Sequence, residues 1–373
     1  MKKKVLIASG GTGGHVIPAQ ALASQLQAIE DECELLFVGG GLKGNAFFDK
    51  SEYLYRDVHC ASLASRKMRD IFNASWDIWK GIRESRQIIK EFQPDLVVGF
   101  GSYHSLPVLT AARWAQVPIV LLEGNAVPGK VVRMFSKSAR VTGLAIPSAA
   151  SQMKGKTIEV NMPLREGYTL SWTSKESARS HYYLDPDKFT FLIFGGSQGA
   201  KAINHLTVAA FTKYLNTQKR NFQLIHLVGD SATQKALQNA YDDHGIIARV
   251  KAYEHEMDRA WMAADLVISR AGAAAIAEQI EMEVPGILIP YPHATDSHQD
   301  LNADFMTNQV GAAVKVQEKD LNPELLANLI RQLISDDQVR LQQMREAVQT
   351  YKRSERRRDF CSVVCEVAGI KIR

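Results

Sequence analysis

One local pattern occurs twice in this chain and limits what it can become: an apolar strand running straight into a glycine turn that opens a helix. The first copy is Val5-Leu6-Ile7-Ala8, then Ser9-Gly10-Gly11-Thr12-Gly13-Gly14-His15, then helical periodicity from Ile17 to about Ile29 with Leu22, Leu26 and Ile29 on one face. The second is Phe189-Thr190-Phe191-Leu192-Ile193-Phe194, then Gly195-Gly196-Ser197-Gln198-Gly199, with a helix from Ala200. Each copy opens a series of apolar strands alternating with helical segments. Leu35–Val38, Asp95–Phe100 and Ile119–Leu122 continue the first, with a helix from about Leu106 to Ala115. Leu224–Val228, Leu266–Ile268 and Gly286–Ile289 continue the second. Near-continuous apolar strands alternating with helices imply parallel sheets covered on both faces.

The expected fold class is therefore α/β, with two Rossmann-like doubly wound domains facing an interdomain cleft. A chain of 373 residues is long enough for two such cores. The break is placed near Pro163, in a linker Asn161–Arg165, giving domains 1–163 and 164–350 with a C-terminal helix over 351–373. From about Pro323 the pattern reads as helical to the end. The hydrophobic fraction of 46% and charged fraction of 23% are those of a globular protein. A net charge of +5 does not call for a nucleic-acid partner and favours anionic ligands or an anionic surface. The lysines before Val5 mimic a signal peptide, but the apolar run is short and glycines follow it at once, so it reads as a strand. No segment approaches the length of a membrane span. Cys33, Cys60, Cys361 and Cys365 have no zinc-like spacing and read as thiols in a reducing compartment.

Glycine turns that open helices are anion sites, because converging backbone N–H groups and the helix dipole attract phosphate. Three readings compete for the Gly10–Gly14 turn. A P-loop needs a Gly-Lys-Ser/Thr ending, which is absent. A dinucleotide fingerprint fits imperfectly, and the candidate ribose acid, Glu34, opens its strand rather than closing it. The third is an acceptor-phosphate cradle with a catalytic histidine, His15. The second half favours the third. Ser269-Arg270-Ala271-Gly272-Ala273-Ala274-Ala275 also follows a strand, and Glu278 lies on the helix it opens, able to hold two ribose hydroxyls. The loop Pro290–Asn302 is rich in groups that bind sugar hydroxyls.

Taken together these motifs resemble the MurG family, bacterial transferases that add N-acetylglucosamine to the lipid-linked muramyl-peptide precursor of peptidoglycan. The likeness runs over nearly the whole chain. It includes the first glycine turn through His15, Gly99-Phe100-Gly101-Ser102-Tyr103, Glu123 with Asn125, Met162-Pro163-Leu164-Arg165, the Gly195–Gly199 turn, Arg270 to Glu278 and the Asp296–Asn302 loop. It implies the GT-B architecture, a last helix packed on the first domain, and an inverting, metal-independent transfer without a cofactor. The implied partners are UDP-N-acetylglucosamine, an undecaprenyl-diphosphate-linked muramyl peptide and an anionic membrane surface. The implied location is peripheral, on the cytoplasmic face of the inner membrane.

The resemblance also implies roles. Ser197 contacts the donor phosphate, the Ala273, Ala274 and Ala275 helix start faces the diphosphate, Glu278 holds the ribose and the Gln299 and Asn302 pair the sugar hydroxyls, with Gln198, Arg270, Gly272 and His298 also among the donor-binding residues. Tyr253 and the backbone of Glu254 flank uracil, with Arg165, Asn125, Thr12, Gly13 and Gly14 also on the donor side. Gly10, Gly11, Gly101, Ser102 and Tyr103 take the acceptor. His15 is the candidate general base and Glu123 its rival, whose other role is to orient a loop. Three motifs depart from the family's usual pattern: Leu122 and Gly124 around Glu123, Asn161-Met162 before Pro163, and Ala274 with Ala275 where a threonine or similar donor is common.

A stripe of Phe72, Trp76, Trp79, Arg83, Arg86 and Lys90 suits an anionic bilayer interface, with Arg66, Lys67 and Arg69 upstream and Ile71, Ile78, Ile82 and Ile89 as the core stripe beside it. Rival functions are a non-hydrolysing UDP-N-acetylglucosamine 2-epimerase, a nicotinamide oxidoreductase and a non-catalytic sugar-nucleotide sensor.

Overall fold

The structure is a computed structural model that describes residues 2–29, 33–61, 68–165, 168, 174–196, 199–215, 222–335, 338–354 and 356–371. Its chain divides into two compact units, Met1–Glu166 with Glu355–Arg373, and Gly167–Ser354.

The first unit is built on seven strands from its first segment: β1 (Lys3–Ala8), β2 (Cys33–Gly39), β3 (Tyr55–Asp57), β4 (Leu96–Gly99), β5 (Ile119–Glu123), β6 (Val141–Leu144) and β7 (Thr157–Asn161). The second unit holds β8 (Phe189–Phe194), β9 (Phe222–Leu227), β10 (Ala248–Lys251), β11 (Leu266–Ser269), β12 (Gly286–Leu288) and β13 (Ala313–Lys315). A last strand, β14 (Arg358–Asp359), joins the first unit's sheet beside β7. All the pairings are parallel, in the orders β14-β7-β6-β5-β4-β1-β2-β3 and β10-β9-β8-β11-β12-β13. The central strands β4, β5, β6 and β11 are buried along their whole length, which is why β4, β5 and β11 are mostly continuous apolar runs rather than alternating ones, while β6 buries Thr142 and Gly143 between Val141 and Leu144.

In both sheets the order of strands reverses beside the strand that carries the glycine turn. β1 lies between β2 and β4, with Ala8 level with Gly99. β8 lies between β9 and β11, with Phe194 level with Ser269. At such a switch point the loops leaving adjacent carboxyl ends open a crevice where α/β proteins bind ligands.

Two expectations are corrected. The first helix spans Gly13–Ala28, so it begins inside the glycine turn rather than at Ile17. The C-terminal region is not helical throughout. Helices Pro323–Ile334 and Val339–Lys352 are followed by β14 and only then by the helix Phe360–Ala368. The interruption has a local cause: Arg358 and Asp359 pair with Val160 and Asn161, and the Asp359 carboxylate caps the last helix through the Ser362 N–H at 2.7 Å.

Within the first unit, Phe360 is fully buried, meets Phe100 edge-on at 6.2 Å and fills the space above Gly143, where a Cβ would come within 2.8 Å of its ring. Phe360→Ala would leave a cavity there. We expect it to destabilise this unit by about 3–5 kcal/mol, read as a lowered urea midpoint for its unfolding transition.

Candidate active site

In the first unit the turn after β1 is tied down by Ser9. Its N–H donates to the Val38 carbonyl at 3.3 Å and its Oγ donates to the His15 carbonyl at 3.1 Å. Gly11 has φ +86°, a conformation that L side chains rarely adopt, and it turns the chain into the helix. Thr12 is the N-cap, but its side chain does not cap, and no acidic residue stands in the first turn. The positive end of the helix is therefore not neutralised by its own side chains. His15 is the third helical residue, and its Nδ1 lies 2.7 Å from the Phe100 carbonyl oxygen. A carbonyl can only accept, so Nδ1 carries the proton and the lone pair of the neutral ring sits on Nε2. The turn after β4 comes next to it: a Cβ at Gly101 would lie 3.6 Å from His15 Cε1. Gly10, Gly11, Gly101 and Ser102 are thus brought to the switch point with His15, and Tyr103 follows with its ring packed against the unit's core.

Glu123 closes β5 and is 4% exposed. Burial pushes its carboxyl above the ordinary value, opposed by hydrogen bonds. Those bonds occupy both oxygens. Oε1 accepts from the Asn125 backbone at 2.9 Å and from its side chain at 3.2 Å, and Oε2 accepts the Gly129 N–H at 2.8 Å. This geometry shapes the loop 124–129 and holds Asn125 in place. Leu122, the departure from the family pattern, is simply buried in the sheet. Arg165 is partly exposed in the segment that follows β7.

Sequence reasoning did not single out the segment 40–50. There Asn45 Nδ2 donates to the Gly11 carbonyl at 2.6 Å, and the Asp57 carboxylate accepts the N–H groups of Leu42 and Lys43 at 3.0 and 2.9 Å. The run Gly39-Gly40-Gly41 at the end of β2 was the available signal. Glu34, the candidate ribose acid of the dinucleotide reading, is level with Lys4 and ion-paired to it at 3.5 Å, at the amino end of the strands. That is the end opposite to the one where such folds bind ligands.

In the second unit, Ser197 and Gln198 lie outside the described residues, but the glycines around them are placed. Gly199 has φ +69° and lies so close to β9 that a Cβ would come 2.3 Å from the Val228 carbonyl oxygen. From adjacent β11 the chain passes through Arg270, Ala271 and Gly272 into the helix Ala273–Glu281. Its N-cap is Gly272, which offers no side chain, and its first turn has no acid, so the N–H groups of Ala273, Ala274 and Ala275 make a second uncompensated helix start. Glu278 is oriented by fully buried Trp261, whose Nε1 donates to its Oε2 at 2.9 Å.

Several of the expected donor residues spend their polar groups inside the protein. Buried Arg270 donates to the carbonyls of Ile289 and Pro290 at 3.1 Å and pairs with Glu318 at 2.5 Å, clamping the end of β12. Asn302 Nδ2 donates to the Ala271 carbonyl at 2.9 Å, and Gln299 Oε1 accepts the Tyr291 N–H at 3.0 Å. His298 Nδ1 donates to the Thr295 carbonyl at 2.8 Å. Beyond β10, Tyr253 is exposed and rests edge-on against His255 at 4.8 Å. Burial alone would raise the Glu254 carboxyl. Lys251 at 2.6 Å, the Glu256 N–H at 3.0 Å and the Tyr182 hydroxyl at 2.9 Å outweigh it and hold the carboxyl below its ordinary value.

A glycine turn at the switch point of each of two parallel sheets, with an unneutralised helix start beside each and an acid on the second, fits the GT-B class of nucleotide-sugar enzymes. Residues 5–143 match the glycosyltransferase family 28 N-terminal domain and residues 190–358 the family 28 C-terminal domain. A UDP-N-acetylglucosamine–N-acetylmuramyl-(pentapeptide) pyrophosphoryl-undecaprenol N-acetylglucosamine transferase from Protochlamydia amoebophila is 42% identical over 371 residues, covering 100% of this chain and 97% of that protein. The transferase of the same name from Chlamydia trachomatis serovar L2 is 34% identical over 369 residues, covering 98% and 99%. The crystal structure of MurG from Acinetobacter baumannii matches with a TM-score of 0.75 at 25% identity over 100% of both chains. A putative UDP-N-acetylglucosamine 2-epimerase from Listeria monocytogenes shares the fold at 12% identity, with a TM-score of 0.62 over 96% of this chain and 100% of that one. The chain belongs to glycosyltransferase family 28 and, within it, to the MurG transferases.

Behind the Gly195–Gly199 turn lies a fully buried relay. The Tyr241 hydroxyl donates to His226 Nδ1 at 3.0 Å, His226 Nε2 donates to Asn204 Oδ1 at 3.1 Å, and Asn204 Nδ2 donates to the Val228 carbonyl at 3.0 Å. Burial lowers the His226 pKa from 6.5 to about 3. Between those values the unfolded chain binds a proton that the folded chain refuses, so this stability is present above pH 6.5 and lost as pH falls towards 3. The urea midpoint of the second unit should fall across that window, and His226→Asn should flatten the slope while lowering the midpoint at pH 7.

Proposed function

We propose that this chain moves N-acetylglucosamine from UDP-N-acetylglucosamine to the C4 hydroxyl of a lipid-linked muramyl-peptide diphosphate, converting lipid I to lipid II. What supports the reading beyond family membership is an uncompensated helix start at each of the two switch points, each able to serve as a separate anion cradle. Each substrate of this reaction brings its own diphosphate, whereas a 2-epimerase binds one nucleotide diphosphate and no acceptor.

The second unit's cradle takes the donor. The N–H groups of the Gly195–Gly199 turn and of Ala273–Ala275 face the diphosphate, Glu278 the ribose, and Tyr253 the uracil. As the bond from the sugar C1 to the phosphate oxygen breaks, its electron pair goes to UDP, and these fixed dipoles stabilise the charge. The first unit's cradle takes the acceptor diphosphate. His15 Nε2 accepts the C4 hydroxyl proton as that oxygen attacks C1 from the opposite face, so one displacement inverts the centre. Glu123, with both oxygens occupied, serves as a positioning residue for the 124–129 loop.

UDP release from UDP-N-acetylglucosamine should require the lipid-linked acceptor; release at the same rate without it would sink the transferase reading. His15→Ala should lower kcat by roughly 10²–10⁴-fold, the usual contribution of a general base, with little change in the donor KM. An unaltered kcat would remove His15 from the chemistry.

An anionic membrane surface is the proposed third partner, met peripherally from the cytoplasmic side. Among the described residues no helix is long and apolar enough to cross a membrane. The helix Met68–Phe92 leaves Phe72, Trp76 and Trp79 exposed, with the two indoles stacked at 5.1 Å. Lys80 and Arg83 stand over those rings at 5.9 and 6.0 Å. Next to them a cavity of about 710 Å³ is lined by Trp79, Arg83, Arg86, Lys90 and Trp114. Ile89 is buried and Ile78 packs on the core from the adjacent stripe. Arg66 and Lys67 lie outside the described residues, as do the side chains of Arg69 and Ile71. Aromatic rings flanked by cations suit the headgroup region of an anionic bilayer. Arg83→Glu with Arg86→Glu should lower sedimentation with phosphatidylglycerol vesicles at least several-fold, most clearly at low salt; unchanged binding would place the contact elsewhere.

A further inference from the structure

We infer that His104 is a positioning residue that ties the two glycine turns of the first unit into one cradle and so sets its affinity for the acceptor diphosphate. The inference rests on the reading that these turns hold the acceptor. Two glycines of the β1 turn make room for His104, and Gly41 of a different loop lies within ordinary contact of its ring. A Cβ at Gly10 would lie 2.8 Å from His104 Cβ, one at Gly11 2.9 Å from Nδ1, and one at Gly41 3.8 Å from Cδ2. The ring thus occupies the space beside the β1 turn while belonging to the segment that follows β4. Its backbone also holds the third loop, because the His104 carbonyl accepts the Gly40 N–H at 3.1 Å.

The ring acts on the β4 turn through Ser102. His104 Nδ1 lies 2.8 Å from Ser102 Oγ, and the His104 N–H donates to the same oxygen at 3.3 Å. Ser102 has φ 72° and ψ 149°, close to a backbone region that is nearly exclusive to glycine. A serine stays there only when its surroundings over-determine it, and the bonds to His104 are on hand to do so. Ser105 adds a second restraint, its Oγ lying 2.6 Å from the Gly101 carbonyl and 3.0 Å from that of Ser102. Burial lowers the His104 pKa, with Asp57 opposing, which favours a neutral ring whose Nδ1 accepts the Ser102 hydroxyl. In that state the Ser102 hydroxyl is turned into the fold. The cradle's donors are then the backbone N–H groups whose directions His104 holds fixed.

Three substitutions separate the bond from the bulk. His104→Phe keeps ring volume without Nδ1, His104→Asn puts an amide near the Nδ1 position without the ring, and His104→Ala removes both. Steady-state kinetics on the full chain with a lipid-linked muramyl-peptide diphosphate should show the acceptor KM raised roughly tenfold by Phe and by Ala, the scale of one lost fixing hydrogen bond. The Asn variant should recover most of it, and the donor KM should stay put throughout. Ser102→Ala should reproduce the Phe result, which keeps the test alive if a ring variant fails to fold. A wild-type acceptor KM in His104→Phe and Ser102→Ala would overturn the inference, as would KM changes that follow only the loss of thermal stability. Gly11→Ala distinguishes the two levels of the argument. If it raises the acceptor KM while His104→Phe does not, the positioning role falls alone. If it moves only the donor KM, the acceptor reading of the turn falls as well.

Discussion

Each sheet pairs two parallel strands whose following loops leave side by side, and the placement of both cradles depends on that pairing. Ala8 is level with Gly99, and Phe194 with Ser269. Because the strands are parallel, both members of a pair end at the same edge and their next turns must share the space beyond it. Elsewhere along the edge, successive loops are offset by the crossover helices that cover the sheet. Only where the strand order reverses do two turns open onto one crevice. The glycines stand at these two places because nothing larger fits: Gly199 against the Val228 carbonyl, and Gly10 and Gly11 against His104.

The chemistry follows from what the helix starts lack. Thr12 makes no side-chain cap, Gly272 can make none, and neither first turn contains an acid. Ordinary helices satisfy or neutralise these positions with their own side chains. Here the N–H dipoles are left for a ligand that carries negative charge. The polar groups behind them are used differently. Glu123, Arg270, Asn302 and the Tyr241–His226–Asn204 relay are buried and spend hydrogen bonds on backbone or on neighbouring side chains of the fold. They hold the turns still, which is the preorganisation that the proposed stabilisation of transition-state charge calls for.

The fold was legible from period and punctuation. Apolar runs of strand length, each ended by glycine or a polar turn, marked β1, β2, β4, β5, β8, β9, β11 and β12, but not the interior strands β6 and β7, whose Val141-Thr142-Gly143-Leu144 and Thr157-Ile158-Glu159-Val160-Asn161 carry polar residues or glycine. The short edge strands were harder. Arg358–Asp359 has no apolar signal, since two exposed residues at a sheet edge need only backbone bonds, and the sequence there reads as the continuation of a helix. In the site, the glycine turns, His15 and Glu278 were visible as types at telling positions. Asn45, Asp57 and His104 were not, because their importance comes from neighbours distant in the chain.

Sequence by itself determined the residue types at the ends of the strands and, through a likeness running the length of the chain, the class of reaction. Only the tertiary structure decided which of those ends are adjacent, which nitrogen of His15 bears the lone pair, and that Glu123 has both oxygens engaged. The physical reason is the reach of the interactions. Periodicity and turn chemistry act over a few residues, whereas the bonds from His15 to Phe100 and from Asn302 to Ala271 span 85 and 31 residues and exist only once the sheets have paired.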